Sequence, residues 1–143
     1  MYNHFLVPLD ESEVAEAALI HAEGLAKALG ARLTLIAVMS LDTGMGEDPG
    51  AAVAMEARRA DLRRYLDSRC ARLEGEGVSC HPSVREGDVA EEIARYAEKH
   101  EVDLIVMGTH GRTGLARWVH GSVSDRLLNL SDIPILIVRG AGD

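Results

Sequence analysis

Five short apolar runs, fenced off by glycine, proline and charged residues, constrain this chain more than any other feature. They span residues 5–9, 32–38, 78–84, 103–107 and 135–138. Runs such as Leu35-Ile36-Ala37-Val38 and Ile135-Leu136-Ile137-Val138 are continuously apolar rather than alternating. That pattern belongs to strands covered on both faces, as in a parallel sheet. Pro8 cannot donate to a ladder and is expected at the end of the first strand. Pro82 interrupts the third run and predicts an edge strand for the same reason.

Helical spacing fills the gaps. Asp10 and Glu13 have capping-box spacing, and Val14, Ala18, Ala22, Leu25 and Leu29 follow as one apolar stripe. Gly30 then suits a left-handed C-terminal position. Residues 40–50 are rich in Gly, Asp and Pro and read as a loop. A long helix is predicted over residues 52–73, with Met55, Leu62, Leu66, Cys70 and Leu73 inward and Arg58, Arg59, Arg63, Arg64 and Asp67 on a solvated face. Gly77 breaks it. Asp88 and Glu91 repeat the capping spacing ahead of a stripe of Val89, Ile93, Tyr96 or Ala97, and His100. Residues 123–130 predict a last helix. Strands alternating with helices imply one α/β domain over residues 1–143: an open, mostly parallel sheet with helices on both faces.

The fourth strand runs into Gly108-Thr109-His110-Gly111-Arg112-Thr113-Gly114-Leu115-Ala116-Arg117-Trp118-Val119-His120-Gly121-Ser122-Val123-Ser124. A strand, a glycine-rich loop and a helix N-terminus in succession suit an anion, because free amides and the positive end of the helix dipole converge there. Gly108, two residues, Gly111, nine residues and Gly121-Ser122 reproduce the G-x2-G-x9-G-[S/T] motif of the universal stress protein family. The chain resembles the ATP-binding branch of that family over nearly its whole length. The resemblance implies a five-stranded, Rossmann-like sheet of order 3-2-1-4-5. In that order the first and fourth strands flank the point where strand succession reverses, and ligands of open α/β sheets sit outside the carboxyl ends there. Motif and topology thus indicate one pocket.

The resemblance also implies roles for particular residues. Asp10, beside Pro8 and Leu9, would be the acidic group at the ribose or adenine. Val38 would line the adenine slot, and Met107 and Gly108 would let the ribose approach. Gly111, Gly121, Ser122 and Val123 would offer amides to the phosphates, joined by the Ser122 hydroxyl and, more weakly, by Ser124. Each has a plainer reading: a helix cap for Asp10, core packing for Val38 and Met107. The ligand implied is ATP, ADP or AMP, with Mg²⁺ as a companion of the phosphates and no dedicated metal site.

Other chemistries fit less well. The P-loop needs a lysine after its second glycine, and the loop has none. The dinucleotide fingerprint belongs after the first strand, where Pro8-Leu9-Asp10-Glu11-Ser12 stands instead. His110 and His120 lack an evident nucleophile or orienting partner, and the lone Trp118 reads as packing or, secondarily, base stacking. A net charge of −8 argues against a general nucleic-acid role. No apolar run reaches membrane-span length, and no signal pattern opens the chain. The two cysteines, Cys70 and Cys80, lack metal-ligand spacing and read as reduced cytoplasmic thiols, with a mutual disulfide the lesser alternative.

A nucleotide-binding regulatory module acting with an unidentified protein partner is the favoured function. A slow ATPase or self-phosphorylating enzyme and a stress scaffold with a vestigial site are the alternatives. Residues Ile135, Leu136, Ile137 and Val138 form an apolar edge with no lysine or bulge, so a homodimer through that strand is expected.

Overall fold

The computed structural model describes residues 1–40, 49–109 and 120–140. Its elements alternate: β1 (His4–Pro8), α1 (Glu13–Leu29), β2 (Arg32–Met39), α2 (Pro49–Gly75), β3 (Cys80–Glu86), α3 (Val89–Lys99), β4 (Leu104–Thr109), α4 (His120–Leu130) and β5 (Ile135–Arg139). The strands form one five-stranded sheet of order β3-β2-β1-β4-β5, as the family resemblance implied, and every recorded pairing is parallel.

The faces are filled by different helices. Alanines and leucines of α1 and α2 pack with Phe5, Val7, Leu33, Leu35 and Val106 on one side. On the other, Ile93, Tyr96 and Ala97 of α3 and Leu127 of α4 pack with Leu6, Ile36, Val38, Ile105 and Met107. Successive strand residues therefore feed opposite cores, and apolar side chains are needed at positions 5–8 of β1 and most of β2.

The α1 stripe differs from its expected form. Ala15, Leu19 and Ala26 are buried with Val14, Ala18 and Ala22, whereas Leu25 is half-buried and Leu29 is 52% exposed. The row at steps of four from Val14 through Ala18 and Ala22 lands on Ala26. These small side chains let α1 lie very close to the sheet. A Cβ added to Gly108 of β4 would stand 2.5 Å from the Val14 carbonyl oxygen.

The helix ends also correct the expectation at one place. Ser12, not Asp10, is the N-cap of α1: its Oγ accepts from the Ala15 amide at 3.2 Å. The Asp10–Glu13 spacing was a false signal, because Asp10 closes a turn onto Ser12 and the helix starts two residues later. Asp88 does cap α3, accepting from the Glu91 amide at 3.0 Å, and Gly30 closes α1 at φ +71°. In the long helix α2, Leu62, Leu66, Cys70 and Leu73 are buried as the spacing predicts. Its polar face is less solvated than expected: Arg58 pairs with Glu11, Arg59 with Glu86, and Arg72 grips Glu23 of α1 at 2.9 and 3.0 Å.

The reading of two reduced thiols is overturned. Cys70 of α2 and Cys80 of β3 form a disulfide, with Cα atoms 5.2 Å apart. The turn through Gly77, at φ +89°, reverses the chain within ten residues and lays the start of β3 against the buried face of α2.

Pro82 pairs in register with Leu35 and lies on an edge strand, as expected. The Ser79 carbonyl accepts from Leu33 on the β2 side. Alternation then directs the backbone groups of Cys80 and Pro82 off the sheet. The Cys80 amide is taken up by Glu74 Oε2 at 3.1 Å. At the opposite edge Ile105 donates to Pro134 and Gly140 to Thr109, so the amides of Ile135, Ile137 and Arg139 point away from β4.

At the amino end of β1, the buried His4 ring lies 2.8 Å from Thr34 Oγ1 and 3.2 Å from the His100 carbonyl oxygen. Burial, followed by the Arg32 guanidinium 3.3 Å from Nδ1, lowers the His4 pKa. His100 stacks on Tyr96 at 4.0 Å, and burial and then Arg85 lower its pKa as well.

Two outcomes follow. Gly108→Ala forces a methyl into the Val14 backbone, which has no flexible side chain to yield, and should cost about 1–3 kcal/mol, read as a lowered urea midpoint. Because the pKa of both histidines is lowered in the native fold, the unfolded chain takes up protons first as pH falls below about 6.5. Stability should therefore be full well above that pH and fall progressively as the pH drops through and below it. His4→Gln should flatten that slope in urea titrations; an unchanged slope would refute the assignment to His4.

Candidate functional site

Parallel strands place all their carboxyl ends on one side of the molecule. The reversal of strand order falls between β1 and β4, because the chain moves from β1 outward through β2 and β3 and then returns to the far side of β1. The register there can be followed residue by residue. Pro8 stands opposite Ile36, and Leu6 opposite Ile105. Carried forward, those registers set Asp10 level with Val38 and Thr109, and Leu9 level with Gly108.

The turn after β1 is built around a buried carboxylate. Leu9 continues the ladder by donating to the Ile36 carbonyl at 2.8 Å. Asp10, 3% exposed, accepts from the Ser12 amide at 3.1 Å and the Ser12 hydroxyl at 2.5 Å. This Asx-type turn fixes the Asp10 side chain, and the same serine caps α1. Glu11 between them takes φ +71°, a left-handed conformation uncommon for a non-glycine residue. Its carboxylate is anchored by Arg58 of α2 at 2.8 Å. Strain held in place by a tertiary ion pair is a feature of sites that position a group.

The neighbouring strand ends supply apolar walls. Val38 is 5% exposed and packs into the α3–α4 core. Met39 accepts through its carbonyl from Gly87 at 2.9 Å, which brings the start of α3 to this end. Met107 is fully buried and also belongs to that core. Gly108 is buried, and the approach of α1 alone requires a glycine there.

The fourth helix begins earlier than expected. The spacing put its start at Val123, whereas α4 runs from His120, so Gly121 and Ser122 lie within its first turn. The first four amides of a helix have no intrahelical partner, and those of Gly121, Ser122 and Val123 are among them. Ser122 is exposed, Val123 packs against the core, and Ser124 is buried. Arg126 pairs with Asp88 at 2.6 Å and Glu91 at 3.3 Å, joining the start of α3 to the middle of α4.

The structure thus brings Pro8, Leu9, Asp10, Val38, Met107 and Gly108 to the carboxyl ends of three adjacent strands. Gly111 lies outside the described residues, as do His110 and Trp118. Three positions escaped the sequence reading: Ser12, which orients Asp10; Glu11, whose φ is invisible in composition; and Arg58, paired with it across a long separation. A serine ahead of Ala15 was a legible cap signal, outranked by the better-spaced Asp10 and Glu13. Chemically, the arrangement offers a fixed carboxylate for hydroxyl groups, an apolar wall for a flat ring, and helix-start amides for an anion.

Among the described residues no helix is long and apolar enough to cross a membrane. Comparison with known proteins agrees with the geometry. The profile of the "Universal stress protein family" matches residues 1–139. Universal stress protein MJ0531 of Methanocaldococcus jannaschii is 33% identical, the alignment covering 97% of this chain and 83% of that protein. A crystal structure of a universal stress protein family member from Burkholderia pseudomallei has 37% identity and a TM-score of 0.78, with 96% of each chain covered. The structure of MJ0577 from M. jannaschii has 27% identity and a TM-score of 0.86, covering 100% of this chain and 99% of that one. More distant structures share the fold at 20% and 17% identity: a universal stress protein in complex with cAMP, and one from Arabidopsis thaliana with AMP bound. The motif, the strand order and these matches together establish that the chain belongs to the universal stress protein family.

Proposed function

We propose that this protein binds an adenine nucleotide, ATP or its ADP and AMP relatives, at the carboxyl ends of β1, β2 and β4, and acts as a dimeric regulatory module. The observation that carries the reading is the Asp10 carboxylate, buried, fixed by Ser12 and level with Val38 and Thr109 at the reversal of strand order. The cAMP and AMP complexes of related chains favour the same ligand class.

The donor set fits such a ligand. Asp10 accepts from ribose hydroxyls, with Pro8 and Leu9 beside it, and Val38 walls the ring. Met107 and Gly108 flank the ribose. Gly111, Gly121, Ser122 and Val123 present amides to the phosphates, with Ser124 at their border and Mg²⁺ accompanying the phosphate charge. Binding supplies a signal rather than chemistry, and the module works in the cytoplasm with a protein partner. The dimer forms through Ile135, Leu136, Ile137 and Val138. Leu136 and Ile137 are 36% and 39% exposed on an edge whose outward amides await a strand.

Titration calorimetry with adenosine, AMP and ATP separates the two ends of the site. Asp10→Ala should weaken all three ligands about tenfold or more, the loss of a charged hydrogen-bond acceptor worth roughly 1.5–3 kcal/mol. Ser122→Ala should weaken AMP and ATP and leave adenosine unchanged. Equal losses for both variants across all ligands would sink the assignment. Sedimentation at micromolar concentration tests the edge: the parent should be a dimer and Ile137→Lys a monomer, and a parent already monomeric would remove the interface.

A further inference from the structure

We propose that Cys70 and Cys80 form a reversible thiol–disulfide couple, opened and closed by low-molecular-weight thiols and disulfides that react at Cys80. The two sulfur-bearing residues sit in unlike surroundings. Cys70 is 6% exposed and belongs to the core formed with Leu66, Leu73 and Val78. Cys80 is half-buried at the first position of an edge strand, with its backbone directed off the sheet toward Glu74. Cys70 lies within that core, whereas Cys80 packs against its border and keeps part of its surface exposed, so a small reagent approaches from the Cys80 side.

The fold around the bridge does not depend on it. Strand β3 is held to β2 by a register running from Leu33↔Cys80 to Met39↔Glu86. Helix α2 is held by buried Leu62, Leu66 and Leu73, and by the Arg72–Glu23 pair. Opening the bridge leaves those contacts standing, so the two sulfurs stay neighbours when reduced. Their separation of ten residues in a folded turn makes ring closure far faster than capture of a second external molecule.

The chemistry balances with glutathione as the reagent. In the closing direction the Cys80 thiolate attacks glutathione disulfide, forming a mixed disulfide and releasing one glutathione thiolate. The Cys70 thiolate then attacks the Cys80 sulfur, forming the protein disulfide and releasing the second. Two protein thiols lose two electrons, one external disulfide gains them, and the two protons go to the released thiolates. Opening runs the same steps backward, with the external thiolate attacking Cys80 and Cys70 leaving.

The test incubates the folded protein in graded ratios of reduced to oxidised glutathione, followed by alkylation and intact-mass measurement. The expected result is one two-electron transition between zero and two alkylated thiols, with unchanged circular dichroism. The thermal midpoint should be higher by roughly 5–10 °C in the oxidised form. Cys70→Ala should accumulate one glutathione adduct on Cys80, whereas Cys80→Ala should resist modification until denatured. Should Cys70→Ala fail to fold, acid trapping and peptide mapping of the parent protein at limiting glutathione disulfide reads the same site. Thiols that stay free in glutathione disulfide, a bridge that opens only in denaturant, or an adduct on Cys70 would each overturn the proposal.

Discussion

Everything in this molecule hangs on the burial of one strand. All five residues of β1 are buried, between β2 on one side and β4 on the other, with helices over both faces. A backbone so enclosed must have its amides and carbonyls paired, and neighbouring strands are the partners available. The next strand in sequence takes one side. The other side has to be taken by a strand that arrives later, after the sheet has grown outward. The reversal of strand order is thus a consequence of satisfying a buried strand, and the crevice at its carboxyl end comes with it.

The same burial explains how closely helix and sheet must meet. Alanines at positions 15, 18, 22 and 26 bring α1 down onto the strands, and the price is a glycine at position 108. That residue looks like part of a ligand-binding motif, and it sits in one. It is also demanded by the Val14 carbonyl whether or not a ligand ever arrives. Motif glycines of this kind carry two constraints at once, which makes their identity a poor guide to either taken singly.

Much of the architecture was legible because long-range burial leaves a local trace. The apolar runs at residues 5–9 and 32–38 marked strands covered on both faces, whereas the equally apolar run 135–138 lies part-exposed on an edge; Pro82 marked an edge, and Gly30 and Asp88 marked helix ends. The strand order came from the family motif, since no periodicity encodes which strands are neighbours. What stayed hidden was whatever depends on pairing across the fold. Asp10 and Glu13 had the better spacing for a cap, yet Ser12 took it because the turn runs two residues further. The cysteines had no motif spacing, and only the reversal at Gly77 brings them together. The Arg58–Glu11 pair joins residues far apart in sequence, so the left-handed turn it steadies had no local signature.

The two rims of the sheet are unequal as templates for growth. Along β3, one outward amide is occupied by Glu74 and the next position is Pro82, which has no amide to give. Along β5, the amides of Ile135, Ile137 and Arg139 point outward on an apolar strand. A building block with one receptive rim and one partly blocked rim would favour a single contact. Were copies to meet rim to rim through β5, the rims left outside would begin with an occupied amide and a proline, a poor start for a further strand. Pro82, far from any ligand, would in this way discourage further growth of the assembly.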